Sequence, residues 1–365
     1  MTATFLDLSA GYLELKDDID AAVARVLGSG WYICGPEVEA FEVAFAHYCA
    51  VDHAIGVASG LDALILSLKA LGIGEGDEVI VPSNTFIATW LAVSDVGAVP
   101  VPVEPDPATH NINPENIATA ITPATRAIIA VHLYGQPADL DPISAIAQRY
   151  GLALIEDAAQ CVGAFYRGTR IGSHSDAVCW SFYPGKNLGA KGDGGAVTTN
   201  NAALAANIRR LGNYGSDQKY VHEMRGRNSR LDPIQAAILN VKLVHLDNWN
   251  ARRSSIAASY LDGLTGLEGI ILPHVLNWVD PVWHLFVIRS GRREELQAHL
   301  TKAGIATLIH YPTPPHRQGA YQVDWSLRSP LPIAERLCAE VLSLPIWPQM
   351  PQDNVDRVIE AMRTF

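Results

Sequence analysis

Two residues of this chain could together carry out chemistry on an amine. Lys186 lies in the segment SFYPGKNLG at 181–189, and Asp157 ends the apolar run LALIED. A lysine among apolar neighbours has a lowered pKa and can act as nucleophile and base. The pair therefore predicts a lysine that forms an imine and an acid that protonates a pyridine ring, which is how proteins hold pyridoxal phosphate. Taken singly, Lys186 also fits a surface loop, and Asp157 fits a helix cap or an arginine partner.

A small-residue turn, VASGLDA at 57–63, could bind the phosphate of such a cofactor. Ser59, Gly60 and Leu61 open a helical pattern, and the first amides of a helix are free to bind anions. The plainer alternative is that Ser59 only caps a core helix. Ser181, beside the lysine turn, could donate a further hydrogen bond to the phosphate.

Other side chains could contact the cofactor ring or a polar substrate. Gln160, one turn after Asp157, could hydrogen-bond the ring hydroxyl, and Phe86 could stack on the ring, although a core position is the commoner role of a phenylalanine. The loop HYPTPPH contains His310, Tyr311 and His316. It suits recognition of hydroxyl and phosphate groups, with packing or an exposed turn as equal alternatives.

The surrounding pattern predicts the elements that position these residues. Between residues 52 and 200, short apolar runs alternate with helical segments, as in a mainly parallel sheet covered by helices. Ligands bind beyond the carboxyl ends of parallel strands. The predicted strands are 78–81, 99–103, 126–131, 152–155, 177–182 and 196–199, and the predicted helices cover 61–71 and 142–150.

A second, smaller unit is predicted at the C-terminal end. One long helix is expected from 232 to 264, with Asp232 as its N-cap and Pro233 as its first residue. It is followed by a strand at 283–288, a helix at 292–303 and a strand at 306–309. We expect a large domain at 1–245, within which the weakly periodic first 37 residues have no clear placement, and a small α+β domain at 246–365.

Composition excludes several classes of function. The net charge of −11 at pH 7 opposes nonspecific binding to nucleic acid, although Lys219, Arg225, Arg227 and Arg230 form a local basic cluster. No apolar run is long enough to span a membrane. Five cysteines without a C-x-x-C pair favour reduced thiols and no metal site. The chain lacks the features of a signal peptide at its start, and we expect a cytoplasmic protein.

Taken in order, these segments resemble the DegT-type nucleotide-sugar aminotransferases. The resemblance covers most of the chain and implies an α/β protein of PLP-dependent transferase fold type I. Several spaced motifs in one order make an accidental match very improbable. The matching segments are 32–38, 76–79, 132–136, 156–160, 181–189 and 228–232.

The resemblance also implies roles for individual residues. Lys186 becomes the lysine that forms a Schiff base with pyridoxal phosphate, Asp157 the partner of the ring nitrogen, and Phe86 the stacking ring. Asn228 matches an asparagine that reaches the phosphate in the neighbouring subunit, which implies a homodimer with shared active sites. Gln160 would contact the ring hydroxyl, and Ser181 with Ser59, Gly60 and Leu61 would bind the phosphate; because Leu61 replaces a frequent threonine, binding there would rely on amides.

The resemblance further implies a donor and an acceptor. L-Glutamate would supply the amino group, and a keto-sugar nucleotide would receive it. Relatives that act at sugar C-4 more often have a histidine at the position of Tyr183. With His310, Tyr311 and His316 as further substrate contacts, the sequence favours the C-3 ketone of a dTDP-linked 3-keto-6-deoxyhexose, giving a dTDP-3-amino-3,6-dideoxyhexose.

Three alternatives stay open at this point. The first is a C-4 aminotransferase acting on a UDP-, GDP- or dTDP-linked 4-keto sugar. The second is a sugar dehydratase of the same fold, in which a histidine replaces the imine lysine; Lys186 argues against it. The third is a non-catalytic regulator, which the net charge of −11 opposes, together with the intact pair of Lys186 and Asp157.

Overall fold

The computed structural model describes residues 3–322 and 330–365. Its strands, numbered along the chain, build three sheets. The central sheet has seven strands in the order β1-β9-β8-β5-β4-β2-β3. The strands are β1 His53–Val57, β2 Glu78–Pro82, β3 Val99–Val103, β4 Thr125–Val131, β5 Ala153–Asp157, β6 Phe165–Tyr166, β7 Thr169–Arg170, β8 Ala177–Ser181, β9 Gly195–Thr199, β10 Val279–Asp280, β11 Phe286–Arg289 and β12 Val341–Leu344.

The central sheet is parallel in its middle and antiparallel at one edge. Strands β8, β5, β4, β2 and β3 run parallel, whereas β9 is antiparallel to both β8 and β1. The six predicted strands are present with small changes at their ends, but β1 was missed. Because β5 and β8 are parallel neighbours, Asp157 and the residues after β8 lie at the same edge of the sheet.

Helices cover both faces of this sheet because its strands are apolar on both sides. In β4, Ile128 and Ala130 pack into one core, while Ala127, Ile129 and Val131 pack into the other, as the two-residue period of a strand requires. The α-helices are Leu8–Glu14, Lys16–Ser29, Pro36–Cys49, Gly60–Ala70, Ala88–Asp95, Pro114–Ala120, Leu140–Tyr150, Ala202–Gly212, Pro233–Leu243, Leu246–Leu264, Arg293–Lys302, Pro332–Glu340 and Gln352–Arg363. Short 3₁₀ turns occupy Leu133–Gly135 and Pro315–Arg317.

The long helix predicted for 232–264 is two helices. The first, Pro233–Leu243, begins at the proline as expected, but the side chain of Asp232 makes no capping hydrogen bond. The second, Leu246–Leu264, follows after a break at 244–245. Their buried residues belong to different cores, since Leu239 packs against the central sheet and Tyr260 against the C-terminal sheet. The break redirects the chain from one core to the other.

The C-terminal part has a two-stranded sheet, but its pairing differs from the prediction. Strand β11 pairs antiparallel with β12, which was not predicted, and residues 306–309 contribute only an isolated bridge between Leu308 and Ser343. The first 37 residues form two helices and the start of a third, and Phe5 stacks on His310. The division into domains at 245/246 stays a prediction. All five cysteines are free, and among the helices of the described ranges we find none with the length and apolarity to traverse a bilayer.

Candidate active site

Asp157 lies at the carboxyl end of β5, where two hydrogen-bond donors contact its carboxylate. Its Oδ2 accepts a hydrogen bond from the hydroxyl of Thr89 at 2.8 Å, and its Oδ1 accepts one from the amide of Ala159 at 3.2 Å. Burial raises the pKa of Asp157, whereas these two hydrogen bonds and the charge of Lys186 oppose the increase. A positively charged group placed against Asp157 would therefore offset the cost of desolvating its carboxylate.

Lys186 lies on the turn that follows β8, half-buried in the cleft near Asp157. The amide of Lys186 donates to the carbonyl of Tyr183 at 2.8 Å. The turn closes tightly, since a Cβ at Gly189 would come within 2.3 Å of the Pro184 carbonyl oxygen. Desolvation lowers the pKa of Lys186 to about 8, and Asp157 offsets part of this effect. About a tenth of the amine is thus uncharged at pH 7, far more than for an ordinary lysine, and can attack a carbonyl.

The Ser59–Gly60–Leu61 turn lies against Ser181. Ser59 caps the helix Gly60–Ala70, since its Oγ accepts from the amide of Asp62 at 3.1 Å. The amides of Gly60 and Leu61 are in the first turn and have no partner within the helix. A Cβ at Gly60 would approach the Cβ of Ser181 to 2.6 Å, so the glycine allows the two segments to touch. Free amides and a serine hydroxyl therefore meet where an anion can bind.

Gln160, Tyr311 and Phe86 form a second group beside Asp157. The Gln160 side chain accepts from the amide of Tyr134 at 2.6 Å and donates to the hydroxyl of Tyr311 at 3.0 Å, which fixes its orientation. The ring of Phe86 lies 5.3 Å from that of Tyr311, and half of Phe86 is exposed. An exposed phenylalanine beside a polar cleft leaves one aromatic face available for a flat ligand.

His310 also lies near Lys186. Its Nδ1 is 2.8 Å from the hydroxyl of Ser343, and its carbonyl accepts from the hydroxyl of Tyr134. Burial lowers the pKa of His310 to about 4, and the charge of Lys186 contributes in the same direction. The imidazole is therefore neutral at physiological pH and presents a hydrogen-bonding ring without a charge.

Tyr183 adjoins this group through its backbone, which accepts from the amide of Lys186, whereas the side chains of Asn228 and His316 make no hydrogen bond to the group within the described ranges. Tyr183 and Asn228 are exposed, and the backbone of Asn228 forms a bridge with Asn213. His316 is the expectation that the geometry does not support. It is buried, its Nε2 lies 3.1 Å from Glu335, and within the described ranges no hydrogen bond or ring contact joins it to the cleft. Its imidazole is held by the helix Pro332–Glu340, which did not emerge from the sequence.

Sequence reasoning missed Thr89, Tyr134 and the pair of His132 with Glu156. His132 Nδ1 accepts from the amide of Ala138, so its Nε2 must carry the proton that binds Glu156 at 2.8 Å. Thr89 stands three residues after Phe86, which was predicted to stack on the ring, but a threonine there carries no signal without the fold. The long-range contacts alone reveal these supporting residues.

The residues present fit pyridoxal phosphate. The fit rests on a cleft amine with a lowered pKa, a buried carboxylate that forms no ion pair among the described residues, an exposed aromatic face and a turn of free amides. These features match the aldehyde, the ring nitrogen, the ring face and the phosphate of that cofactor. Within residues 3–322 and 330–365 no group of three or more His, Cys, Asp or Glu side chains could hold a metal ion.

Comparison with known proteins agrees with this arrangement. The sequence profile of the DegT/DnrJ/EryC1/StrS aminotransferase family matches residues 13–363. The chain is 60% identical over 363 residues to the erythromycin biosynthesis sensory transduction protein EryC1 of Saccharopolyspora erythraea, covering 100% of this chain and 99% of that protein. It is 57% identical over 361 residues to the dTDP-3-amino-3,4,6-trideoxy-alpha-D-glucose transaminase of Streptomyces venezuelae, covering 99% of this chain and 95% of that protein.

A solved structure has the same fold over the whole length. The crystal structure of S. venezuelae DesV in complex with a ketimine intermediate superposes with a TM-score of 0.98 at 56% identity, covering 100% of this chain and 98% of that chain. The fold is therefore that of a PLP-dependent aminotransferase, as the sequence predicted.

Proposed function

The chain belongs to the DegT/DnrJ/EryC1/StrS aminotransferase family, and we propose that it aminates the C-3 ketone of a dTDP-linked 3-keto-6-deoxyhexose. It is a PLP-dependent nucleotide-sugar aminotransferase. The specific proposal adds L-glutamate as donor and a dTDP-3-amino-3,6-dideoxyhexose as product. The observation that carries the choice of C-3 and dTDP is the 57% identity, over nearly the whole of both chains, to a transaminase named for a dTDP-3-amino sugar.

Lys186 is the proposed catalytic residue. Bound pyridoxal phosphate supplies an aldehyde for imine exchange and a ring that withdraws electrons from the substrate Cα. Lys186 would take the proton from Cα of the donor and deliver it, on the same face, to the carbon of the cofactor that carried the aldehyde. With the keto sugar it would move a proton in the reverse direction, to the sugar carbon that becomes the amine carbon. An amine with a pKa of about 8 suits both directions, because its acid and base forms are both populated near neutral pH.

Asp157 is proposed to hold a proton on the ring nitrogen. Thr89 and the amide of Ala159 bind its two oxygens, so the carboxylate is oriented before the ring arrives. Phe86 provides the stacking face and Gln160 a hydrogen bond to the ring hydroxyl. Ser181 together with the Ser59–Gly60–Leu61 turn is proposed to bind the phosphate.

Tyr183, His310 and Tyr311 are proposed to contact the sugar. His310 and Tyr311 line the side of the cleft next to Lys186 and Gln160, and Tyr183 is exposed at its rim. A neutral imidazole and two phenols donate and accept hydrogen bonds without favouring either sign of charge, which suits sugar hydroxyl groups.

We also propose a homodimer in which Asn228 reaches the neighbouring subunit's phosphate site. Exposed aromatic and aliphatic side chains support it, because monomeric proteins rarely leave such groups uncovered together. They lie in two segments, with Trp31, Tyr32 and Ile33 in one and Tyr214, Tyr220 and Val221 in the other. Asn228 follows the second segment and has an exposed side chain, as a residue that serves another subunit requires.

The test combines a spectrum with a product analysis. The visible absorption of the purified protein loaded with pyridoxal phosphate is recorded before and after L-glutamate is added, with Lys186→Ala as the control. An imine band that the wild type shows before glutamate and the variant lacks supports Lys186, and the loss of that band when glutamate is added to the wild type supports the donor. Product NMR after incubation with dTDP-linked 3-keto and 4-keto sugars then identifies the aminated carbon, and 4-keto turnover alone would contradict the proposal.

A third outcome would favour the rival of another class, a regulator. The similarity to a protein named for sensory transduction makes this comparison worthwhile. If the cofactor band forms on Lys186 but no amino donor or keto sugar changes it, transamination is excluded for the substrates tested. Keto sugars with and without a C-4 hydroxyl are both included, because the named relative's product lacks oxygen at that carbon.

A further inference from the structure

A second pocket lies behind the turn that carries Lys186. Its cavity volume is about 70 Å³, and it opens to solvent. One wall is the N-terminal segment, including Leu6 and Asp7, and another is the C-terminal segment from Trp347 to Gln349. The turn itself contributes Lys186, so the pocket is adjacent to the catalytic cleft without containing Asp157 or the phosphate turn.

The pocket has a strong excess of positive charge. Lys191, Lys242 and Arg253 line it together with Lys186, whereas Asp7 is the one carboxylate in its lining. The Oδ1 of Asp7 is occupied by the amide and hydroxyl of Ser9, at 2.8 Å and 2.6 Å. One carboxylate therefore faces four basic side chains, so the lining keeps an excess of positive charge.

Lys242 and Arg253 are buried without an acidic partner. The amine of Lys242 donates to the carbonyl of Gly189, and burial lowers its pKa to about 7, with repulsion from Lys191 adding to the effect. Arg253 is 3% exposed and donates to the carbonyls of Trp283, His284 and Ile346. Among the residues that the structure describes, neither forms an ion pair.

Lys191 is the exposed member of the cluster. Its amine donates to the carbonyl of Leu8 at 3.3 Å and lies 5.5 Å from the ring of Tyr12. The nearby Glu14 is already bound by Arg252 and by Gln349, at 2.9 Å and 2.7 Å, so it leaves the cluster uncompensated. Buried cations without a counterion are costly, and a bound anion would repay that cost.

We propose that this pocket binds a carboxylate of the amino donor, a small amino dicarboxylate, while its amino group reacts at the neighbouring Lys186 site. The inference rests on the proposed function, because it assumes an amino-acid donor with a second acidic group. A small dicarboxylate fits such a site, whereas the larger sugar nucleotide is proposed to enter beside Asn228 and the partner subunit.

The test compares Lys191→Met and Lys242→Met with Lys302→Met. Lys302 lies exposed on the helix Arg293–Lys302. Its replacement is the matched control, because it also removes one amine. Binding of 2-oxoglutarate to the PLP-loaded enzyme is measured by calorimetry, and the glutamate concentration that half-converts the cofactor band is measured in parallel. We expect the dissociation constant of 2-oxoglutarate and the half-converting glutamate concentration to rise about tenfold in the first two variants, as for a lost hydrogen bond to a charged group. Both should stay at the wild-type level in the third.

The result that overturns the inference is a pair of pocket variants that bind 2-oxoglutarate as tightly as Lys302→Met does. The inference would also be overturned if chloride, at equal ionic strength, occupied the pocket as readily as 2-oxoglutarate and so blocked its binding. Lys191→Met keeps the test valid if Lys242→Met does not fold, because Lys191 is exposed at the pocket rim. If glutamate converts the wild type but the variants are unaffected, this inference alone fails. If glutamate never converts the wild type, the proposed donor fails, and the calorimetry still decides whether the pocket binds a dicarboxylate.

Discussion

Replacing Thr89 with valine tests whether the hydrogen bond to Asp157 supports catalysis. Thr89 is fully buried and donates to Oδ2 of Asp157 at 2.8 Å. Valine has nearly the same shape, so the substitution removes the donor with little change in packing. Thr85, whose hydroxyl lies 3.0 Å from that of Thr89, stays in place but cannot reach Asp157 through valine.

The expected magnitude follows from the charge of the acceptor. A hydrogen bond to an ionised group contributes about 1.5–3 kcal/mol. Its loss destabilises the carboxylate form of Asp157 but not the protonated form. The pKa of Asp157, which burial already raises, therefore rises further. The protonated cofactor ring then meets a weaker counter-charge. At most, affinity for pyridoxal phosphate falls about tenfold to a hundredfold at neutral pH.

The assay measures pyridoxal phosphate affinity by the visible band and kcat/KM across pH. In Thr89→Val, affinity falls, and the acidic limb of the pH profile moves to higher pH because Asp157 is harder to ionise. Thr89→Ser keeps the hydroxyl and is expected to stay near the wild type. The reasoning is refuted if the valine variant matches the serine variant in both measurements while folding normally.

Four further predictions concern the same site. Gly60→Ala weakens pyridoxal phosphate binding, measured by equilibrium dialysis, since its Cβ would come within 2.6 Å of Ser181; unchanged affinity would contradict the proposed phosphate turn. Capture of added pyridoxal phosphate by the apoenzyme, followed by stopped-flow absorbance, rises with pH and levels off above about 8, because only uncharged Lys186 attacks; a flat profile would argue against that nucleophile. Burial raises the pKa of Asp157, so this group favours folding below its unfolded pKa, and the benefit is lost as pH rises through the folded value. Asp157→Asn should therefore raise the Tm of the apoenzyme at pH 8 relative to the wild type and abolish transamination; an unchanged or lower Tm would show that ionised Asp157 is not destabilising. Co-expressed Lys186→Ala and Asn228→Asp chains, each inactive alone, should recover about one quarter of wild-type activity if the sites are shared across a two-fold axis, and none if they are not.

The local pattern of the chain was sufficient for most of the central sheet and for the placement of Asp157 and Lys186 at one edge of it. Short apolar runs predicted six strands. Asp157, at the end of one strand, and Lys186, after another, lie at the same edge of that sheet. This worked because parallel strands place their carboxyl ends together whatever the remaining packing. The helix cap at Ser59 is likewise a contact between close neighbours in sequence.

Other features depended on contacts between residues far apart in the chain. Strand β1 was missed because it is defined by pairing with β9, about 140 residues later. The break at 244–245 exists because two separate cores divide one helical pattern. The same reason explains Thr89 beneath Asp157, His316 held by Glu335, and the cations of Lys191, Lys242 and Arg253 in one pocket. Side-chain period specifies which face of an element is buried, but only the tertiary structure decides which other element meets it.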